Sequence, residues 1–316
     1  MCCPTTILPQ KEQAFRAAIH SERAVHKGIR YPFIRIGKVG PHGDYERLPD
    51  ISDAHGMLSV VIPYFNMGGF IDDAIESVLA CDYHPLEILI CNAESTDPSS
   101  IAKFYVLKEE YVGDTRFNFV NVVNKGLAYS RNDGALRARG EYIAFLDPDD
   151  KVRPNYFSRA VQVLERYRNV GFVGCWTQYF GENNGRFIGW NSEPPYVLFH
   201  NTMNTAGMVM RRRVFLAHGM NDLEMSYGME DYESMVRMVA AGFGGVVIPE
   251  VLFDYRVRST SMMRGFTRAN DVYCYERIAA KNPSVFKDHA VGIVSLLNAN
   301  GPGFRHDNPL IEVPLT

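Results

Sequence analysis

The chain has 316 residues, of which 46% are hydrophobic and 22% charged, and its formal net charge at pH 7 is −3. This composition suffices for one large hydrophobic core or two smaller ones, and it gives no electrostatic reason to expect nucleic acid as a partner. No apolar run approaches the roughly 18 residues of a transmembrane helix, and the N-terminus lacks the apolar part of a signal peptide. The sequence therefore predicts a cytoplasmic location without a membrane span, and a peripheral association with a membrane stays open.

Regular patterns begin at Met57. The residues before it have mixed charges and little periodicity apart from a helix predicted over 10–21. Short apolar runs then alternate with amphipathic stretches, which predicts strands at 58–63, 86–91, 117–123 and 141–146 and helices at 71–79, 99–110 and 127–139. Strands that alternate with helices favour an α/β fold with a mostly parallel sheet.

The second half of the chain is less regular. An amphipathic helix is predicted around Phe157 to Leu164, a strand at 170–180, and a hairpin turn at Asn183-Asn184-Gly185. A helix at 230–241 and a strand at 244–249 follow. The last 50 or so residues predict one or two helices and then a tail from Asn298.

Three aspartates, at positions 147, 149 and 150, follow the fourth predicted strand. Carboxylates so close together repel one another, and a divalent cation such as Mg²⁺ or Mn²⁺ would offset their charge and bridge them to phosphate oxygens. Acidic residues after a strand also form turns or cap the next helix, and Pro148 and Pro154 fit that structural role. The aspartates alone do not decide between these interpretations.

A polar or turn-forming segment follows each of the four predicted strands in the first half of the chain. These segments are 63–66, 92–97, 124–126 and 147–150. In open sheets of this kind, ligands bind beyond the carboxyl ends of the strands. We therefore expect the four segments to meet at one cleft.

Five blocks of sequence resemble the family-2 glycosyltransferases of the GT-A fold. In chain order they are SVVIPYFN (59–66), ILICNAESTD (88–97), NKGLAYSRNDGALRARGEYIAFLDPDD (124–150), MEDYESMVRMVAAG (229–242) and PEVLFDYRVRSTSM (249–262). Any one block is weakly specific, but five in the right order and spacing make the resemblance strong. It implies a Rossmann-like, mostly parallel central sheet flanked by helices, with a helical C-terminal part.

The resemblance also implies a division of the chain. Residues 1–56 form an N-terminal extension with no counterpart in the family, and residues 57–263 form the glycosyltransferase domain. Within that domain, 57–150 bind the nucleotide-sugar and 151–263 bind the acceptor. Residues 264–316 form the C-terminal helical segment and tail.

Enzymes of this family transfer a sugar from a nucleoside diphosphate to an acceptor hydroxyl with inversion. The reaction needs a base for the hydroxyl and neutralisation of the departing diphosphate. By resemblance, Asp231 is the base and Glu230 its catalytic neighbour. Asp149 is the direct ligand of a Mn²⁺ or Mg²⁺ cofactor, and Asp147 lies against the ribose or a metal-bound water. Without the other blocks, Glu230 and Asp231 would be interpreted as a helix cap, and Asp150 is expected to cap or orient the turn after it.

The residues expected to bind the donor also come from the resemblance. They are Pro63, Tyr64, Phe65, Asn92, Asn124, Arg131, Asp147, Pro148 and Arg258. The first three correspond to the loop along the nucleobase, with Phe65 placed to stack on the base. Arg131 either meets the base or phosphate, or is a helix-surface arginine paired with Asp133 or Asp147, and the sequence does not decide.

One departure from the family concerns recognition of the nucleobase. Where the family usually has two aspartates, glycine and serine, this chain has Asn92, Ala93, Glu94 and Ser95. The second aspartate often accepts the uracil N3–H, and losing such a partner costs about 1–3 kcal/mol. Either the Asn92 amide takes over this contact or the base is not uracil. A UDP-sugar remains the first expectation for the donor, weakened by Ala93.

A second departure is Arg258, which stands where many relatives carry a histidine. Arginine cannot ligate a cation, but it can pair with diphosphate oxygens. We therefore expect Arg258 to hold the leaving group.

Two functions compete. The leading one is a metal-assisted, inverting glycosyltransferase that acts on a glycan, a lipid-linked glycan or a small molecule. The rival is a catalytically weak or inactive relative that binds a nucleotide-sugar or glycan or acts as a scaffold. Ala93 and Glu94 favour the rival. The aspartate segment and the Glu230–Asp231 pair favour the enzyme, because a binding module needs no base.

Overall fold

The structure of the protein is a computed structural model. It describes residues 56–203, 207–261 and 265–300, with the backbone alone over 295–300. It also describes two short antiparallel strands, β1 (Lys38–Val39) and β2 (Gly43–Asp44). The rest of the predicted N-terminal extension, including the helix predicted at 10–21, and the tail after 300 lie outside the described residues.

Four parallel strands form the first half of the sheet. They are β3 (Leu58–Tyr64), β4 (Leu86–Asn92), β5 (Phe117–Asn121) and β6 (Tyr142–Phe145), in the spatial order β5-β4-β3-β6. The two central strands, β3 and β4, are buried along their whole length. This burial explains why their sequences are nearly continuous apolar runs and not alternating patterns.

Helices cover both faces of this half. They are α1 (Ile71–Leu79), α2 (Pro98–Glu110) and α3 (Leu127–Arg137). The first two pack on one face, where Ile75 and Phe104 join the core, and α3 packs on the other through Ala135. α2 begins at Asp97, whose side chain accepts the backbone N–H of Ser100 at 2.8 Å.

The second half of the sheet continues past β6 in the order β10-β8-β11-β7. Its elements are β7 (Lys151–Val152), α4 (Tyr156–Arg166), β8 (Val170–Gly181), β9 (Arg186–Phe187), β10 (Val209–Arg211), α5 (Arg212–Val214), a π-helical turn (Phe215–Gly219), α6 (Glu230–Ala240) and β11 (Gly244–Val257). β10 runs antiparallel to both neighbours, whereas β8 and β11 are parallel. Two helices follow, α7 (Arg268–Lys281) and α8 (Pro283–Asn300). Among the described residues, no helix is both long enough and apolar enough to span a bilayer.

The strands and helices predicted between residues 57 and 249 all occur, in the predicted order. The structure adds β7, β10 and α5, which were not predicted, and the other main differences lie at element ends. The strand predicted to end at 249 runs on to Val257, with irregular register between Ile248 and Phe253. Pro249 lacks the N–H for a regular ladder, so the strand is irregular there instead of ending. The extension carries Arg256 to the aspartate segment. At the C-terminus, α8 continues past Asn298, where the tail was predicted to begin.

The amino ends of β3, β4 and β6 are tied together by a buried carboxylate. Glu87 accepts hydrogen bonds from Ser59 Oγ at 2.6 Å and from the backbone N–H of Arg139 at 2.6 Å. The N–H of Gly140 donates to Ser59 Oγ at 2.8 Å. A Cβ atom at Gly140 would lie 2.6 Å from both Met57 O and Ser59 Oγ, so there is no space for a side chain.

We predict that Gly140→Ala lowers the free energy of unfolding by about 1–3 kcal/mol, because backbone atoms that cannot move aside crowd the added methyl group. The measurement is chemical denaturation followed by circular dichroism. Gly69→Ala is the matched control, since nothing lies within 4 Å of its Cβ position. Equal midpoints for the two variants would contradict the packing argument.

Candidate functional site

Hydrogen bonds join the loops that follow β3, β4 and β5. The Oδ1 atom of Asn66 accepts the backbone N–H groups of Thr96 at 2.8 Å and Asp97 at 2.9 Å. Glu94 Oε2 accepts the backbone N–H of Asn124 at 3.1 Å. The loops therefore meet at the carboxyl edge of the sheet, as the sequence predicted.

Two of the residues expected along the nucleobase lie in the core instead. Pro63 and Tyr64 are the last residues of β3 and both are buried. The Tyr64 ring packs against Phe104, and its hydroxyl donates to Ser100 O at 2.6 Å. The tyrosine ring thus fills the gap between β3 and α2, and its hydroxyl donates to a carbonyl there. Both residues belong to the strand and not to a loop, and their contact with the donor stays a prediction. Phe65 is 40% exposed, and its stacking on the nucleobase stays a prediction.

The asparagines expected to contact the donor have structural partners. The side-chain NH₂ of Asn92 donates to Asn121 Oδ1 at 3.0 Å, and its Oδ1 accepts the N–H of Ser95 at 3.2 Å. These contacts use part of the hydrogen-bonding capacity that uracil recognition would need. Asn124 is exposed, and its Oδ1 accepts the N–H of Gly126 at 3.2 Å, which shapes the turn before α3.

The aspartate segment follows β6 and is held by β11. Asp147 is 28% exposed, whereas Pro148, Asp149 and Asp150 are buried. Asp150 Oδ1 accepts the backbone N–H of Arg256 at 2.8 Å. Asp150 therefore ties the segment to β11 and caps no helix, since the residue that precedes α4 is Asn155.

Asp149 is ion-paired with Arg258. Both Nε and Nη2 of the arginine approach the same oxygen, Asp149 Oδ2, at 2.8 and 2.7 Å. Burial raises the pKa of the Asp149 carboxyl, the charge of Asp147 raises it further, and Arg258 offsets only part of this rise. The site thus holds a carboxylate that an additional cation would stabilise.

A second arginine, Arg131, joins the aspartate segment to the start of α6. Its side chain is 2% exposed, and its nitrogens Nη2 and Nη1 lie 2.7 Å from Asp147 Oδ1 and 2.5 Å from Glu230 Oε1. The sequence left open whether Arg131 pairs with Asp133 or Asp147, and the pairing with Asp147 is confirmed. Asp133 pairs with Arg137 instead. Arg131 is buried and does not lie on the helix surface.

The sequence analysis missed the contact between Arg131 and Glu230. Small residues around the arginine would have indicated that it faces inward, since Ser130, Gly134 and Ala135 line the same buried side of α3. An arginine on such a face needs anionic partners from elsewhere in the chain.

The predicted acidic pair opens α6. Burial raises the pKa of the Glu230 carboxyl to about 7, against the lowering effect of Arg131. Burial also raises the pKa of Asp231, again opposed by Arg131, and Asp147 contributes to the rise. Asp231 Oδ1 accepts the N–H of Tyr232 at 2.7 Å. Because Asp147 acts on the pKa of both Asp149 and Asp231, these carboxylates share one electrostatic site.

Among the residues that the structure describes, no group of three His, Cys, Asp or Glu side chains is arranged as a metal site. A Mg²⁺-type ion that binds with phosphates usually needs only one or two protein carboxylates, with phosphate oxygens and water as the other ligands. Asp149, with its raised pKa, and the partly exposed Asp147 fit that pattern.

Sequence comparison identifies the family. The sequence model described as "Glycosyl transferase family 2" matches residues 59–219, about half of the chain. This chain belongs to glycosyl transferase family 2. It is therefore a glycosyltransferase, as the sequence predicted.

Curated relatives cover different parts of this glycosyltransferase. The "Putative glycosyltransferase EpsE" of Bacillus subtilis is 29% identical over 220 residues, which are 68% of this chain and 78% of EpsE. An "Uncharacterized glycosyltransferase" of Haemophilus influenzae is 27% identical over 64% of this chain and 65% of its own length. The "Chondroitin synthase" of Escherichia coli is 33% identical over 120 residues, and the match spans 38% of this chain but only 16% of that protein.

Solved structures confirm the GT-A fold. The "Mannosyltransferase PcManGT from Pyrobaculum calidifontis in complex with GDP-Man and Mn2+" has a TM-score of 0.59 at 16% identity, covering 92% of this chain and 80% of that one. Residues 1–349 of S. aureus TarS, in complex with UDP-GlcNAc, give a TM-score of 0.56 at 16% identity over 71% of this chain and 66% of theirs.

We predict that Arg131→Met lowers the free energy of unfolding by about 3–5 kcal/mol, because it leaves Glu230 and Asp147 without their buried cation. Chemical denaturation at pH 7.5 measures the loss. Arg137→Met is the matched control: it breaks an ion pair on the exposed side of the same helix and should cost no more than about 0.5 kcal/mol. Similar small losses in both variants would contradict the structural role of Arg131.

Proposed function

We propose that this glycosyltransferase inverts the anomeric carbon, with Asp231 as general base and a divalent metal at the donor diphosphate. One observation carries the proposal. Arg131 connects Asp147, beside the expected metal ligand, to Glu230, beside the expected base. The two halves of the reaction, activation of the acceptor and neutralisation of the leaving group, thus have their groups at one site.

The division of roles within the acidic pair follows from their contacts. Glu230 is engaged with Arg131, so it serves to position the start of α6. Asp231 has no ion pair among the described residues, and one of its oxygens accepts only the adjacent backbone N–H of Tyr232. A pKa raised by burial makes the Asp231 carboxylate a better proton acceptor than an exposed aspartate.

The donor is proposed to be a nucleotide-sugar held at the carboxyl edge of the sheet. Phe65 would stack on the base, with Asn92 and Asn124 in the loops beside it, and Arg258 would reach the diphosphate. Asp149 and Asp147 would hold the metal, which when bound neutralises charge on the diphosphate. The two solved structures are complexes with GDP-Man and UDP-GlcNAc, which supports this class of donor.

The loop after β4 offers the nucleobase fewer acceptors than the family usually has. Ala93 is buried and offers no side-chain acceptor, and Asn92 Oδ1 already accepts the N–H of Ser95. A donor panel should therefore include GDP-sugars beside UDP-sugars, scored by release of the nucleoside diphosphate and by donor-induced thermal shift. The acceptor is expected to be a glycan, a lipid-linked glycan or a small molecule, and this stays a prediction. The cytoplasmic or peripheral location also stays a prediction.

We predict that Asp231→Asn lowers kcat by about 10²–10⁴-fold while donor binding is retained, because the substitution removes the base and keeps the shape. Asp149→Asn should instead abolish the donor-induced thermal shift in the presence of Mn²⁺. Nucleoside diphosphate release and thermal shift are measured side by side on both variants.

Transfer that continues at the wild-type rate in Asp231→Asn would rule out this base. Donor binding without transfer, over the whole donor panel and a broad set of acceptors, would support the rival function of a nucleotide-sugar-binding protein.

We predict that kcat/KM falls on the acid side at a pH above the ordinary aspartate pKa of 3.8. The base must be ionised to accept a proton, and burial raises the pKa of the Glu230–Asp231 pair, so activity is lost at a higher pH than for an exposed aspartate. The pH profile of Glu230→Gln should keep a single acid limb that belongs to Asp231. An acid limb at or below 3.8 in the wild-type enzyme would contradict the assignment.

A further inference from the structure

Arg258 already provides a cation at the expected metal ligand. Its Nε and Nη2 atoms converge on Asp149 Oδ2 at 2.8 and 2.7 Å. Guanidinium and metal ion are both positively charged, so they cannot occupy the same carboxylate oxygen together without repulsion. The ion pair thus competes with metal binding.

Three further contacts of the guanidinium are with uncharged groups. Its Nη2 lies 3.8 Å from Met67 Sδ, its Nη1 donates to Thr260 Oγ1 at 3.2 Å, and its central carbon lies 4.9 Å from the centre of the Phe70 ring. Arg256, two residues before it, also lies over the Phe70 ring but has different polar partners. Its side chain pairs with Asp73 and donates to the backbone oxygen of Asp149 at 2.9 Å. Arg256 therefore holds the backbone of the aspartate segment independently of Arg258.

Residues on the donor side favour a second position for Arg258. Met67 lies in the loop that follows Phe65, the residue placed to stack on the nucleobase, and it already contacts the arginine. A diphosphate placed beside Asp149 would bring two or more negative charges within reach of the same guanidinium. Arginine binds phosphate oxygens best through two parallel N–H donors, and here Nε and Nη2 already converge on Asp149.

We propose that Arg258 exchanges partners during the binding step. In the donor-free enzyme it pairs with Asp149, and when the donor binds it pairs with the diphosphate and leaves Asp149 to the metal ion. The metal and the nucleotide then bind cooperatively, and each raises the affinity for the other by the same factor. This inference rests on the proposed function, since it concerns the same donor site.

The test is a titration of the full chain with Mn²⁺ alone, followed by the electron paramagnetic resonance signal of free Mn²⁺, and repeated with UDP and with GDP. In the wild-type protein, Mn²⁺ alone should bind weakly, and a nucleoside diphosphate should increase its affinity. Arg258→Ala should bind Mn²⁺ alone at least about tenfold more tightly, as expected when one charge-assisted hydrogen bond to the carboxylate is removed. The same variant should bind the nucleoside diphosphate more weakly in the presence of Mn²⁺.

In Arg258→Ala the affinity for Mn²⁺ should rise and the affinity for the nucleoside diphosphate should fall. These opposite changes distinguish the exchange of partners from a purely structural role of Arg258. Arg153→Ala is the matched control, because it breaks the ion pair with Asp254 and leaves Asp149 untouched, and it should change neither affinity. Asp149→Asn should abolish Mn²⁺ binding, and circular dichroism verifies that each variant is folded.

Unchanged or weaker Mn²⁺ binding by folded Arg258→Ala would overturn the proposal. The titration with Mn²⁺ alone needs neither donor nor acceptor. It therefore tests the exchange of partners even if no sugar transfer is found. Failure to find sugar transfer would count against the proposed function alone.

Discussion

Arg131 is buried between the carboxylates of Asp147 and Glu230, and the arrangement of the site depends on this contact. One carboxylate follows β6 in the first half of the sheet, and the other opens α6 in the second half of the chain. Burial lowers the pKa of Arg131, but the nearby carboxylates raise it by more. The pKa of Arg131 therefore lies above its ordinary value. A buried ion pair contributes little net stability, but it fixes how its partners lie relative to each other. Here it holds the expected base near the expected metal ligand.

The long strand β11 supplies the second constraint on the site. Its last residues reach the aspartate segment, where the N–H of Arg256 binds Asp150 and the side chain of Arg258 binds Asp149. Five acidic residues at 147, 149, 150, 230 and 231 thus face three arginines, and the pKa values of Asp149, Asp150, Glu230 and Asp231 are all raised. Such a site favours an additional cation, which agrees with a metal bound together with a diphosphate.

The sequence predicted the parts of the fold that local pattern controls. The apolar runs of β3 and β4 and the amphipathic face of α1 can be recognised in short stretches of sequence. Ligands in such sheets bind beyond the carboxyl ends of the strands, and this rule was enough to predict that the loops meet there. The resemblance carried the identities of the expected base and metal ligand, which no local pattern supplies.

Contacts between distant segments were not predictable in the same way. The bridge from Arg131 to Glu230 spans 99 positions. Tyr64 is part of a family motif, but whether its ring points to the ligand or to the core depends on Phe104 and Ser100 in another helix. β11 continues through Pro249 because β8 lies beside it along its whole length, and tertiary pairing of this kind overrides a local breaker.

The most direct test of the account is a crystal structure of the chain with Mn²⁺ and the nucleotide-sugar selected by the donor panel. We expect an anomalous manganese peak in coordination contact with Asp149 and with the diphosphate. The anomeric carbon of the donor should face the side chain of Asp231 across the site. A nucleotide bound away from Asp149, or an Asp231 side chain turned away from the sugar, would contradict the account.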